Sequence, residues 1–361
     1  MLGGFSFRLN SKKLKYDFTI NRKITRIVGD SATGKSTLVT TITDSEDPTM
    51  QIQVYCPYTV REISTAFTKD LFKKIQRIRT EYKSHHNQRF NESMRSLLSE
   101  YDDVLFFCDE TFPYLSTDEF ASFCKFTDSF FVICCRDKLT NIPCSYKEIY
   151  RIQSSGRYHS LARVYNDYES FPNVEEIEKV LTEDSGSGYS FYSQKFDCIS
   201  ANGKSNIVEN MKHENYSLII GDGAAIGSEI SDIVACSDGS QLFFPESFEY
   251  VLLISPLFSD FGIADKIAHT EKYASGLCFT WEQYYTTLLM NITAGARFHY
   301  NKTKLSACYF DKCCGDRTCK MRQSSDKVLM ILRQFIINVE SLSENSMKES
   351  PSDSLKKLEC F

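Results

Sequence analysis

The sequence predicts an α/β fold: a parallel sheet flanked by helices, followed by a smaller unit that starts α/β and turns helical. Three observations predict it. Val104–Cys108 and Phe130–Cys135 are unbroken apolar runs, the pattern of parallel strands buried on both faces between helices. Ile24–Val28 is a third apolar segment, and it runs into a glycine-bearing loop and a helical pattern from Lys35. Further along, Ser217–Ile220 and Gln241–Phe244 read as strands on either side of a helix from Ala224.

Taken in order, Phe5–Asn10 and Lys15–Ile20 alternate with period two and read as a hairpin leading into the strand Ile24–Val28. Gln51–Tyr55 alternates like another strand. Glu62–Glu100 is mostly helical and is the most basic part of the chain, with Lys69, Lys73, Lys74, Arg77, Arg79, Lys83, Arg89 and Arg95, interrupted by acids. Val174–Gln194 reads as an acidic helix (Glu175, Glu176, Glu178, Glu183, Asp184) running into the flexible Ser185-Gly186-Ser187-Gly188. These shifts divide the chain into a first domain over 1–170, a linker over 171–195, a second domain over 196–339 and a disordered tail over 340–361, rich in Ser, Glu and Lys. Trp281–Ala294 and Lys327–Val339 supply the helical part of the second domain.

The 361 residues are 42% hydrophobic and 25% charged, which excludes disorder throughout and a collagen-like fibre. With 42 Lys+Arg against 47 Asp+Glu the formal charge is −5, so no global positive field gathers nucleic acid or anionic membrane. Nucleic-acid contact, if made, is local to the basic stretch 69–95, which also reads as a solvated helical face. No stretch approaches the roughly 18 apolar residues of a membrane span, and the first 18 residues lack a signal-peptide pattern. The expected location is cytoplasmic, with reduced cysteines such as Cys108, Cys134 and Cys135 inside apolar runs.

The strongest motif is Gly29-Asp30-Ser31-Ala32-Thr33-Gly34-Lys35-Ser36-Thr37, a G-x-x-x-x-G-K-[ST] pattern between strand and helix. Binding a phosphate chain needs backbone N–H groups turned inward around the anion, glycines where a Cβ does not fit, and a helix start behind them. Lys35 then reaches the terminal phosphates and the Ser36 hydroxyl ligands Mg²⁺. The apolar strand Val104–Cys108 ends in Asp109-Glu110, the carboxylates that a metal and an attacking water require.

With these residues the chain resembles the P-loop NTPase superfamily over residues 20–140, in the division with an added strand and a catalytic glutamate that includes ABC and AAA-type ATPases. It looks like the small P-loop ATP-binding proteins of bacteria. The resemblance implies a P-loop NTPase parallel sheet, Asp109 holding Mg²⁺ through a water, and Glu110 polarising the attacking water. Arg136, just beyond the strand Phe130–Cys135, falls where the family places a polar γ-phosphate sensor, although an arginine is not the usual residue there. The segment ahead of Asp109 lacks the Ser-Gly-Gly signature of ABC proteins, and no arginine-finger motif is present, so completion of the site by a second subunit is not expected from the motifs.

In the second domain, Gly221-Asp222-Gly223-Ala224-Ala225-Ile226-Gly227 follows the strand Leu218–Ile220. A dinucleotide reading fails on spacing and on Asp222, whose charge repels a pyrophosphate. A metal-dependent reading lacks an Asp-x-Asp pair after a strand. The favoured reading is a regulatory or scaffolding unit whose glycines serve close helix–strand packing. Cys308, Cys313, Cys314 and Cys319 are numerous enough for a zinc site, but C-x4-C-C-x4-C lacks C-x-x-C knuckles, so they read as ordinary reduced thiols.

The expected function is Mg²⁺-dependent ATP binding and hydrolysis, coupled to a protein partner or a nucleic-acid process, with an oligomer possible and no membrane. No guanine-specificity motif is visible, which favours ATP. Two alternatives are a nucleotide-sensing interaction protein with little turnover and a P-loop kinase, for which Arg77, Arg79 and Arg89 are the lid candidates.

Overall fold

The apolar segments read as strands come together inside a nine-stranded, mostly parallel sheet. This computed structural model describes residues 1–30, 32–82, 88–169 and 177–309. The strands are β1 (Phe5–Asn10), β2 (Lys15–Ile20), β3 (Ile24–Ile27), β4 (Gln53–Tyr55), β5 (Thr59–Glu62), β6 (Val104–Asp109), β7 (Phe130–Cys134), β8 (Ile149–Ser155) and β9 (Tyr158–Arg163). They lie in the order β4-β1-β2-β9-β8-β3-β7-β6-β5. From β8 to β5 every neighbour pair is parallel, while β1 pairs antiparallel with both β2 and β4. The helices of this part are α1 (Lys35–Asp44), α2 (Thr65–Glu81), α3 (Gln88–Leu98) and α4 (Asp118–Phe126).

Both faces of β6 and β7 are buried, which is why their sequences are continuously apolar rather than alternating. On one face Leu105, Phe107, Val132 and Cys134 pack with Leu38, Val39 and Ile42 of α1 and with Phe7 and Phe18 of the hairpin. On the other, Phe106 and Phe131 stack with centroids 5.4 Å apart, and both meet Phe123 of α4. The sheet is therefore the middle layer of a helix–sheet–helix arrangement.

Several sequence expectations change here. The basic stretch 62–100 is two helices, α2 and α3, preceded by the edge strand β5; residues 83–87 lie outside the described residues. The sequence does not reveal the β8–β9 hairpin, because its exposed polar residues mask the alternation. The stretch 171–195, read as an acidic helix and linker, instead holds β10 (Lys179–Thr182) and α5 (Ser187–Tyr192). Val180 and Leu181 are fully buried there between two neighbouring strands, and that tertiary pairing overrides the helical propensity of the surrounding acids.

The chain divides into two units that are not continuous in sequence. Met1–Asn166, Gly223–Val234 and Asp265–Tyr284 form the first; Asp167–Asp222, Ala235–Ala264 and the chain from Tyr285 form the second. Two local contacts explain why the later segments belong with the first. The N–H of Gly227 donates to the Cys144 carbonyl at 2.9 Å, and a Cβ on Gly227 would sit 2.6 Å from the Cys144 sulfur, so only glycine allows this approach. Trp281 lies under the guanidinium of Arg22, 3.6 Å from the ring centroid.

The second unit has its own parallel sheet, ordered β11-β10-β12-β13, with β11 (Asp197–Ser200), β12 (Leu218–Ile220) and β13 (Gln241–Phe243). The remaining helices along the chain are α6 (Ile207–His213), α7 (Ile230–Cys236), α8 (Phe248–Leu253), α9 (Ala264–Ala268) and α10 (Trp281–Ile292). The helix expected from Ala224 thus begins six residues later, at Ile230. The tail 340–361 and the helix 327–339 lie outside the described residues, and among the described residues no helix is long and apolar enough to cross a membrane.

Candidate nucleotide site

The motif 29–37 occupies the turn between β3, buried along its whole length, and α1. Gly29 and Gly34 have φ of +137° and +91°, the left-handed region where a Cβ is strained, and Ala32 also has φ +65°. The loop closes around its own lysine. The Lys35 ammonium is buried and donates to the carbonyls of Gly29 and Asp30 at 2.5 and 2.9 Å and to the Thr33 hydroxyl at 3.3 Å. That hydroxyl in turn donates to the Asp30 carbonyl at 2.9 Å. Ser36 and Thr37 are exposed at the helix start. Ser31 lies outside the described residues.

Register brings the second motif to the same edge of the sheet. Ile27 and Asp109 are both opposite Cys134, one on each side of β7, so the strand entering the loop and the strand ending in the acids finish in one row, roughly 10 Å apart at the spacing of two strands. Asp109 accepts the Thr111 N–H through Oδ1 at 3.0 Å. Its Oδ2 is buried and, among the described residues, has no hydrogen-bond partner. An unpaired buried carboxylate oxygen costs free energy unless a ligand meets it. A metal-bound water fits that atom, so the residues present suit Mg²⁺.

Glu110 and Arg136 meet directly. The Arg136 backbone N–H and Nε both donate to Glu110 Oε2, at 3.2 and 3.1 Å. That hydrogen bond, with the charge behind it, holds the guanidinium pKa above its ordinary value. The charges of Asp137 and of Asp30 in the loop act on the guanidinium in the same direction. Of the lid candidates for a kinase, Arg79 is instead tied to Asp118 of α4 at 2.5 Å and to the Ser122 hydroxyl at 3.0 Å, which takes it out of reach as a mobile arginine. Lys73 pairs with Asp70 one turn away, so the basic face of α2 is partly neutralised.

Comparison with known proteins finds no relative. No family model, no curated protein and no solved structure matches the chain.

One further residue, on β2, reaches the loop. Tyr16 of β2 is buried, stacks on His159 with centroids 4.6 Å apart, and donates its hydroxyl to the Gly34 carbonyl at 3.4 Å. Burial first, and then the nearby Cys134 thiol, push its phenol up to about 12. Only the period-two alternation of β2 hints that it points inward; nothing in the sequence links it to the loop. Of the cysteine cluster, Cys308 is buried, whereas Cys313, Cys314 and Cys319 lie outside the described residues.

Proposed function

We propose that the first unit binds Mg·ATP at residues 29–37 and hydrolyses it, coupling the cycle to a partner of this chain. The reading is carried by one observation: the glycine loop with its buried lysine and the orphaned Asp109 oxygen end in the same row of a parallel sheet. That β7 lies between β3 and β6 supports the reading of an added strand there.

In this reading each group has a task. The ammonium of Lys35 exchanges the Gly29 and Asp30 carbonyls for phosphate oxygens, and the N–H groups at the start of α1 face the same anion. Ser36 and Asp109 would hold Mg²⁺, which when bound would supply neutralising charge for the terminal phosphates. Glu110 accepts a proton from the attacking water. Arg136 steadies Glu110 until its guanidinium is drawn to the added phosphate charge.

Calorimetry of ATP binding tests the proposal. Lys35→Ala removes charge-assisted hydrogen bonds of about 1.5–3 kcal/mol each, so affinity falls about tenfold or more per contact. Equal affinity in variant and wild type refutes it. The Arg136–Glu110 pairing also favours a second reading, a nucleotide-sensing switch with little turnover, because the proposed base is already engaged. A Glu110→Gln chain that retained partner binding in its ATP-dependent form would select that reading.

A further inference from the structure

The second unit contains a crevice whose position follows from topology. From β10 the chain passes through α5 to β11 on one side, then through α6 to β12 on the other. The connection reverses direction between β10 and β12. In open parallel sheets such a reversal leaves a gap outside the carboxyl ends of the two strands, where ligands bind. A cavity of about 40 Å³ lies there, lined by Glu183 and Asp184 just after β10 and by Asp222 just after β12, with Tyr192, Glu249 and Lys302. It has room for roughly three water-sized particles.

The carboxylates are held in place by the fold. Glu183 Oε2 accepts the Asp222 N–H at 2.8 Å, tying the two strand ends together, and Asp222 Oδ1 accepts the Phe248 N–H at 3.2 Å. Asp184 accepts the N–H groups of Gly186, Gly188 and Tyr189 at 3.3, 3.1 and 2.9 Å, and Glu249 accepts the Tyr300 hydroxyl at 2.7 Å. Four acids and one lysine thus line the crevice.

A separate feature points to a ligand. Tyr192, 2% exposed, lines this cavity, and its hydroxyl has no hydrogen-bond partner among the described residues. A buried hydroxyl without a hydrogen-bond partner is unfavourable by itself. A cation with its water shell offsets the acids and gives the phenol a partner.

We propose that the crevice between β10 and β12 is a divalent-cation site of the magnesium class, held directly by Glu183 and Asp222 and through a bound water by Tyr192. Its oxygen-only donors select Mg²⁺ or Mn²⁺ over zinc, which prefers imidazole and thiolate. Among the described residues no three His, Cys, Asp or Glu side chains form a metal-binding group. Two carboxylates with retained waters match Mg²⁺, whereas Ca²⁺ takes six to eight oxygens. The site is independent of the nucleotide proposal, since all its residues belong to the second unit.

The test uses the full chain free of nucleotide, with Mn²⁺ as probe, followed by electron paramagnetic resonance titration and by thermal unfolding. Wild type is expected to bind one Mn²⁺ and to unfold at a higher temperature with it. Asp222→Asn keeps an oxygen to accept the Phe248 N–H, so it folds, and its Mn²⁺ affinity falls about tenfold or more. Tyr192→Phe loses only the outer contact, for which about a tenfold loss is expected. Wild-type Mn²⁺ affinity in Asp222→Asn, or absence of a saturable site in wild type, would overturn the proposal.

Discussion

If the proposed nucleotide reading holds, replacing Glu110 with glutamine separates chemistry from binding at that site. In the structure Glu110 is 27% exposed and Arg136 is 54% exposed, and the contact is two hydrogen bonds to one oxygen. Glutamine keeps an oxygen acceptor of the same reach and loses only the charge. For an ion pair this open to solvent, that loss costs about 0–1 kcal/mol of stability, which moves the unfolding temperature by roughly 2–4 °C or less. Lys35, the loop and Asp109 are untouched, so ATP affinity stays at the wild-type value. Removing the proton acceptor slows the chemical step by about 10²–10⁴-fold, roughly 3–5 kcal/mol of barrier. Single-turnover hydrolysis, with enzyme in excess over radiolabelled ATP, reads this step directly, and fluorescent-nucleotide titration reads affinity. An unchanged single-turnover rate in a variant of normal affinity refutes the assignment of Glu110 as the base.

Three further predictions concern the frame around the site. Lys23 is buried, donates to the carbonyls of Thr127 and Gly276, and burial lowers its pKa to about 7. Its folded pKa lies below its unfolded value of 10.5, so between about pH 7 and 10.5 the unfolded state binds more protons and this residue makes stability rise with pH. Denaturant titrations across that window are expected to show a flatter pH dependence for Lys23→Met than for wild type; identical slopes would contradict the burial argument. Phe131→Ala removes a ring that meets Phe106, Phe120 and Phe123, at an expected cost of about 3–5 kcal/mol seen as an earlier chemical-unfolding transition. Gly227→Ala drives a Cβ into Cys144 and is expected to destabilise by about 1–3 kcal/mol, whereas Gly156→Ala, with open space around it, loses only what its positive φ costs.

By itself the sequence determined the parts whose chemistry is local. The hairpin β1–β2 is legible because period-two alternation is a property of consecutive residues, and β6 and β7 because burial on both faces leaves an apolar run. The loop 29–37 is legible because glycines at positive φ and a lysine at the helix start are needed in a fixed order. Sequence also placed Asp109 and Glu110 at a strand end. Only the tertiary structure decided which strand ends share a row, since Ile27, Cys134 and Asp109 are aligned by hydrogen-bond register between distant segments. It also decided that β10 is a strand, because Val180 and Leu181 gain their burial from β11 and β12, not from their acidic neighbours. The pairing of Arg136 with Glu110, the hydroxyl of Tyr16 against the loop, and the gathering of Glu183, Asp222 and Tyr192 have the same origin. Each depends on a distance across the fold, and no local pattern of side chains encodes such a distance.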